Sequence, residues 1–229
     1  MSKADMNKRA RELLESVGLP AEFMDKYPNT LGGGERQLIS GARALATNPS
    51  LIILDEPTSA LDVSVQAKVI SKLTDLQKKL NLAYLFITHD LSLMRNVANR
   101  VAILYLGRLC EQAPTADFFE KPLHPYTQML LSSIPVVTAE EEEMKPVKIL
   151  STGEIPSPVD VPPGCTFHTR CRDKMSICMK ERPVMKEVSP EHFVCCHLFK
   201  DNTYARMKAA AQAPVGEAAT DTKATETPA

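Results

Sequence analysis

No apolar run in the 229 residues approaches the roughly 18 that a membrane-crossing helix needs. Charge of one sign is not in excess either. Lys and Arg number 27 against 28 Asp and Glu, a formal net charge of −1, so no basic surface points to nucleic acid. The opening stretch MSKADMNKRARELLESVG has no apolar secretory core and reads as an amphipathic helix, which makes the cytoplasm the expected compartment. There is no internal repeat and no long heptad run. None of the nine glycines is followed by lysine, so G-x-x-x-x-G-K-[ST], the lysine-bearing loop that cradles phosphates, is absent from this chain. Close C-x2-C pairs, the usual mark of structural zinc, are also missing.

What is present centres on LGGGERQLISGARALATNPSLIILDEPTSALD, Leu31 to Asp62. Gly32-Gly33-Gly34-Glu35-Arg36-Gln37 is a glycine turn opening a helix, where backbone can approach a ligand and free N–H groups face an anion. Leu51-Ile52-Ile53-Leu54 reads as a strand buried on both faces, and it ends in Asp55-Glu56. Carboxylates at the C-terminal end of such a strand lie where open α/β sheets place ligands; one can hold a metal ion and the other can activate a water. The plainer alternative is an ordinary turn and a helix cap.

Helices are expected over about 5–17, 35–47, 63–80 and 91–98, and strands over 51–55, 82–87, 101–105 and 108–112, an alternation that argues for an α/β layer. Short helices follow at 117–120 and 127–133. Glu140 to Glu143 reads as a solvated linker and 151–164 as irregular loop. From about Ala205 the Ala- and Thr-rich chain is expected to be disordered.

Cys165, Cys171, Cys178 and Cys196 follow C-x5-C-x6-C-x17-C, with Cys195 adjacent to the last and able to replace it. Four thiolates from irregular loops suit an iron–sulfur cluster. Zinc, with His168 or His197, is the runner-up, and unligated thiols are the bland alternative. Cys110 is expected to be a packed core thiol, His124 a turn residue or helix cap, and His192 a surface residue.

Four motifs in order carry a resemblance to the ABC-type ATPases. Gly32 to Gln37 resembles the family's signature, Leu51 to Glu56 its Walker B strand, Ser59-Ala60-Leu61-Asp62 its D-loop, and Ile87-Thr88-His89-Asp90 its switch-histidine segment. Within that family, Leu61 to Ala67, Pro122-Leu123-His124-Pro125-Tyr126-Thr127, and Ile155-Pro156-Ser157-Pro158 leading to Gly164-Cys165 resemble the ATP-binding subunits of oligopeptide and dipeptide importers. The resemblance implies a partial ABC-type α/β ATPase domain over 1–113 with a remnant of the helical subdomain. After it would come a helical extension and linker over 114–150, a small irregular Cys-rich metal module over 151–200, and a tail over 201–229.

It also implies roles. Glu56 would polarise the attacking water and His89 would contact the γ-phosphate of ATP. Asp55 would support Mg²⁺ and Asp62 would couple the two sites of a dimer. Gly32, Gly33, Gly34, Glu35 and Gln37 would face a partner's nucleotide. The four cysteines would hold a 4Fe–4S cluster, as members of the family do. The partners would be a second ATPase subunit and membrane permease subunits, at the inner face of the cell membrane. Two departures stand out: Gly32 replaces the usual signature Ser, and Leu38 a usual Arg. With no phosphate-binding loop, the chain resembles the C-terminal two-thirds of such a subunit and is expected to be inactive alone. The rival readings are a non-catalytic regulatory fragment that pairs with a complete subunit, and an ATPase of DNA repair or chromosome structure. The latter calls for long heptad arms.

Overall fold

The computed structural model describes residues 1–134, 149 and 153–199. The expected linker at 140–143 and the expected tail from 205 lie outside the described residues. The chain divides into two compact units, Met1–Ala98 and Asn99–Ala229.

The first unit opens with α1 (Lys3–Ser16). Ser2 and Asp5 cap it reciprocally: the Ser2 hydroxyl accepts from the Asp5 amide, and the Asp5 carboxylate accepts from the Ser2 amide, both at 3.1 Å. Leu13, Leu14 and Val17 fall on its buried side, as their spacing predicts. Helix α2 (Gly33–Leu45) leads to β1 (Leu51–Asp55), α3 (Val63–Leu80) and β2 (Ala83–Ile87). Asn81, at φ 50°, stops α3 in the left-handed conformation and turns the chain into β2. Strands β1 and β2 pair in parallel, Leu51 opposite Ala83 through Asp55 opposite Ile87. Helix α4 (Leu91–Val97) closes the unit.

The core of this unit joins Leu13, Leu14 and Val17 to Leu45, Ile52, Leu54, Val69, Leu73 and Leu76. It lies on one face of the two-stranded sheet. Leu51 and Ile53 are 52% and 60% exposed, and Leu85 and Ile87 are 52% and 46% exposed. The expectation that β1 is buried on both faces is therefore corrected. Alternate residues Ile52 and Leu54 meet the core, while the other side has no covering layer among the described residues. A four-residue apolar run reports that both faces are apolar, not that both are covered.

In the second unit, β3 (Arg100–Tyr105) and β4 (Arg108–Pro114) form a hairpin. Leu106 and Gly107 turn it with φ of 46° and 71°, the handedness two-residue hairpins favour. Helices α5 (Thr115–Glu120) and α6 (Pro125–Ser132) follow. The Cys-rich stretch is not wholly irregular. It contains β5 (Lys186–Ser189) and β6 (His192–Val194), and β6 pairs antiparallel with β4, giving a four-stranded sheet in the order β3-β4-β6-β5. Tyr105, Tyr126 and Phe167 stack edge-on and tilted, with centroids 4.7 to 5.2 Å apart.

Candidate functional site

The C-terminal ends of β1 and β2 bring two separated motifs together. The Glu56 amide donates to the Ile87 carbonyl at 2.9 Å, so the chain leaves both strands at the same level. Glu56 takes φ 45°, a left-handed conformation unusual for a residue with a side chain and of the kind that gathers at functional sites. From there its Oε1 lies 3.2 Å from Nδ1 of His89. A carboxylate only accepts, so this contact places a proton on Nδ1 and leaves Nε2 for another partner. Both side chains face solvent. Asp55 is exposed one residue earlier, on the uncovered face of the sheet.

Between Glu56 and α3 runs a tight turn. The Ser59 amide and hydroxyl both donate to the Glu56 carbonyl, at 3.1 and 2.9 Å. Asp62 caps α3, accepting from the Val65 amide at 2.9 Å and the Ser64 hydroxyl at 2.7 Å. The Ser64 bond, then the Val65 bond, holds its carboxyl below the usual aspartate range. Asp90 caps α4 in the same way and also accepts from the Gln66 side chain at 3.2 Å, tying the start of α3 to the segment that carries His89. Sequence reasoning misses Gln66 as part of this group. Its position, one turn into a helix that starts beside Glu56, is the available signal.

The glycine turn meets this group through packing. Gly32 caps α2, and its amide donates to the Glu35 carboxylate at 2.8 Å. A Cβ on Gly33 would stand 2.8 Å from Leu61 Cδ2, and one on Gly34 would stand 2.5 Å from Val65 Cγ1. These glycines therefore let α2 lie close against the turn and the first turn of α3, a role distinct from approach to a ligand. Gln37 follows one turn along α2, half-buried.

The second unit holds the cysteines. The Cys165 amide donates to the Cys178 carbonyl at 2.8 Å, and a Cβ on Gly164 (φ +69°) would collide with that same carbonyl. Burial first, then the thiols of Cys165, Cys171 and Cys178, pushes Cys196 up to about 12. Cys171 is pushed up to about 11, chiefly by burial, with Cys165 and Cys178 among the lesser causes. Cys195 acts on Cys165 in the same way, so these cysteines share one neighbourhood. Among the described residues, no three His, Cys, Asp or Glu side chains are placed closely enough to hold a metal ion as they stand.

Cys110 is a buried core thiol, as expected. His124 is a helix cap, its Nδ1 accepting from the Tyr126 amide at 3.0 Å; burial lowers it to about 4. His192 is not a surface residue. It is 2% exposed, and its Nε2 donates to Glu111 Oε1 at 2.7 Å. Glu111, fully buried, also accepts from the Leu123 and His124 amides, each at 2.8 Å. The pairing of β6 with β4 draws His192 inside.

Comparison with known proteins places this geometry in a family. Residues 2–59 match the family described as ABC transporter, and residues 110–178 match the family described as oligopeptide/dipeptide transporter, C-terminal region. The chain is 50% identical over 195 residues to the oligopeptide transport ATP-binding protein AppF of Bacillus subtilis, a match covering 85% of this chain and 59% of AppF. It is 40% identical over 206 residues to the dipeptide transport ATP-binding protein DppF of Escherichia coli, covering 90% of this chain and 61% of DppF. A solved metal-chelate type ABC transporter in an inward-facing conformation superposes with a TM-score of 0.51 at 32% identity, over 59% of this chain and 51% of that one. The fold is thus ABC ATPase-like α/β. The chain belongs to the oligopeptide/dipeptide family of ABC transporter ATP-binding proteins. It spans about three fifths of the length of the curated relatives it matches.

Proposed function

We propose that this chain works within an ATP-hydrolysing subunit of a peptide importer, taking dipeptides or oligopeptides, and that Glu56 and His89 are its water-handling pair. The observation that carries this is the 3.2 Å contact between Glu56 Oε1 and His89 Nδ1 at the ends of two parallel strands. Phosphoryl transfer to water needs positioning and charge neutralisation more than covalent chemistry. Glu56 orients and deprotonates the water. His89, held by Glu56 through Nδ1, offers Nε2 to the terminal phosphate of the substrate. Asp55 would hold a Mg²⁺ ion, which would supply charge neutralisation at the phosphates. Gly32, Gly33, Gly34, Glu35 and Gln37 present the start of α2 to a nucleotide held by a second ATPase subunit, and Asp62 lies at that junction. Membrane permease subunits are the remaining partners. No described helix is long and apolar enough to cross a membrane, and attachment would be peripheral, at the inner face of the cell membrane.

A second reading is favoured by one specific feature, the close packing of Gly33 and Gly34 against Leu61 and Val65, which gives these glycines a structural role. On that reading the chain is a non-catalytic regulatory or binding element that pairs with a complete ATPase subunit. ATP turnover by the purified chain, alone and mixed with a complete subunit, separates the two. The first reading expects the mixture to turn over ATP faster than the complete subunit alone, and that gain to vanish when Glu56 of this chain is changed to Gln. A mixture indifferent to Glu56→Gln favours the second.

In the second unit, Cys165, Cys171, Cys178 and Cys196 are proposed to hold a 4Fe–4S cluster, which supplies redox or structural chemistry when bound. The support is the electrostatic convergence of the four thiols. Zinc has its own support, since His168 Nδ1 is tied to the Cys165 carbonyl at 2.8 Å, leaving Nε2 for a metal. Iron, sulfide and zinc analysis of chain purified without oxygen decides. About four irons and four sulfides per chain, lost in Cys178→Ser, is the expected result.

A further inference from the structure

Two cysteines stand outside that set of four, and the sheet places them face to face. Glu111 pairs with Val194 and Gln112 with Phe193 across β4 and β6. One residue further along the same register, Cys110 lies opposite Cys195, and the Cys195 amide donates to the Cys110 carbonyl at 2.7 Å. Directly opposed, hydrogen-bonded residues of antiparallel strands have Cα atoms about 5.5 Å apart. That falls inside the roughly 4.4–6.8 Å span of disulfides, while the Cβ atoms of a hydrogen-bonded pair, about 5.5 Å apart, must close to about 4.5 Å or less for the bond to form. Opposed residues also project to the same side of a sheet, and both line one cavity of about 90 Å³, with Arg182 and Pro183. Each thiol is at present parked on a backbone carbonyl: Cys195 on Pro183 at 3.1 Å, Cys110 on Arg108 at 3.6 Å.

We propose that Cys110 and Cys195 are a reversible dithiol–disulfide pair, oxidised by low-molecular-weight disulfides. Cys195 is half-buried and Cys110 is buried, so Cys195 is the sulfur a small oxidant reaches. Its sulfur attacks the oxidant disulfide, breaking that S–S bond, forming a mixed disulfide and releasing one small thiol. The Cys110 sulfur then attacks the Cys195 sulfur and expels the second. The two protein thiols lose two electrons, the oxidant gains them, and both thiol protons end on the released thiols. The product ties β6 covalently to β4 one residue before Cys196. The redox state of the pair thereby sets how firmly that ligand candidate is held. Cys165 also lines the cavity, but its amide is bonded to the Cys178 carbonyl and it has no place in the β4–β6 register.

The full chain, purified without oxygen, is exposed to oxidised glutathione, its free thiols are blocked, and it is digested without reduction. With the chain unfolded in the alkylating agent so that any bound metal is released, two of the six cysteines should resist alkylation, with a cross-linked peptide pair whose fragment spectra place the bond between Cys110 and Cys195. Dithiothreitol restores both thiols. Cys110→Ser should instead accumulate glutathione on Cys195, and Cys195→Ser should leave Cys110 unmodified. The wild-type map needs no variant to fold. Two free thiols at these positions after oxidation, a stable glutathione adduct in the wild type, or a bond from Cys110 to Cys165 or Cys196 would overturn the assignment.

Discussion

His124 makes the second unit sensitive to mild acid. Its ring is 2% exposed, and its Nδ1 must stay unprotonated to accept the Tyr126 amide that starts α6. Burial brings its pKa down to about 4, opposed only in part by the Glu111 carboxylate, which His192 also bonds. An unfolded chain takes up a proton at this histidine near pH 6.5. Between about 6.5 and 4 the unfolded state holds more protons, so stability is complete above that window and is lost as pH falls through it. At about 1.4 kcal/mol per unit, the full window is worth about 3 kcal/mol. The assay is hydrogen exchange of a peptide covering 123–132 at several pH values, corrected for the intrinsic pH dependence of exchange. It reads this segment rather than the whole chain. His124→Asn keeps a good capping acceptor and removes the titration. At pH 7.5 the variant should be less protected, by about 1–2 kcal/mol for the lost ring packing. By pH 5 the difference should close or reverse. Parallel pH profiles for wild type and variant would refute the reasoning.

Three further outcomes follow from packing. Gly34→Ala should destabilise the first unit by about 1–3 kcal/mol, because the added methyl meets Val65 Cγ1 at 2.5 Å. Gly41→Ala, whose nearest neighbour is Leu73 Cδ2 at 3.8 Å, should instead stabilise it by about 0.5–1 kcal/mol through helix propensity; urea melts that give both variants one sign would contradict this account. Glu111→Ala strands the His192 ring and the Leu123 and His124 amides, and should cost about 3–5 kcal/mol by denaturant titration of the second unit. Ile53→Ser and Leu85→Ser, on the bare sheet face, should raise the concentration at which the chain stays monodisperse by light scattering, with little loss of helix signal.

Much of this is legible in the sequence because it is local. The apolar run Leu51–Leu54 gives β1 and the periodic stretch from Val63 gives α3, while the capping of α3 by the Asp62 carboxylate comes from the structure. Helix α2 begins two residues before the expected Glu35, since glycine suggests a turn and not the first helical residue. What is not legible depends on partners far along the chain. His192 looks like a surface residue because its partner, Glu111, is 81 residues away. Glu111 itself sits in a strand whose alternation suggests nothing beyond an edge charge. The exposure of Leu51 and Ile53 is hidden for the opposite reason, since apolar composition says what a face prefers and not what lies against it. The assembly of β3 and β4 with β5 and β6 follows from no periodicity in either segment.

The bond from the Glu56 amide to the Ile87 carbonyl has a mechanical consequence. Two residues past Ile87 is His89, and Glu56 grips that ring from the other side, so the two strand ends form a closed loop of backbone and side chain. A ligand that tugs the imidazole cannot do so without twisting the peptide on which the carboxylate is mounted. If the pair works as proposed, a single displacement registers at both the carboxylate and the imidazole.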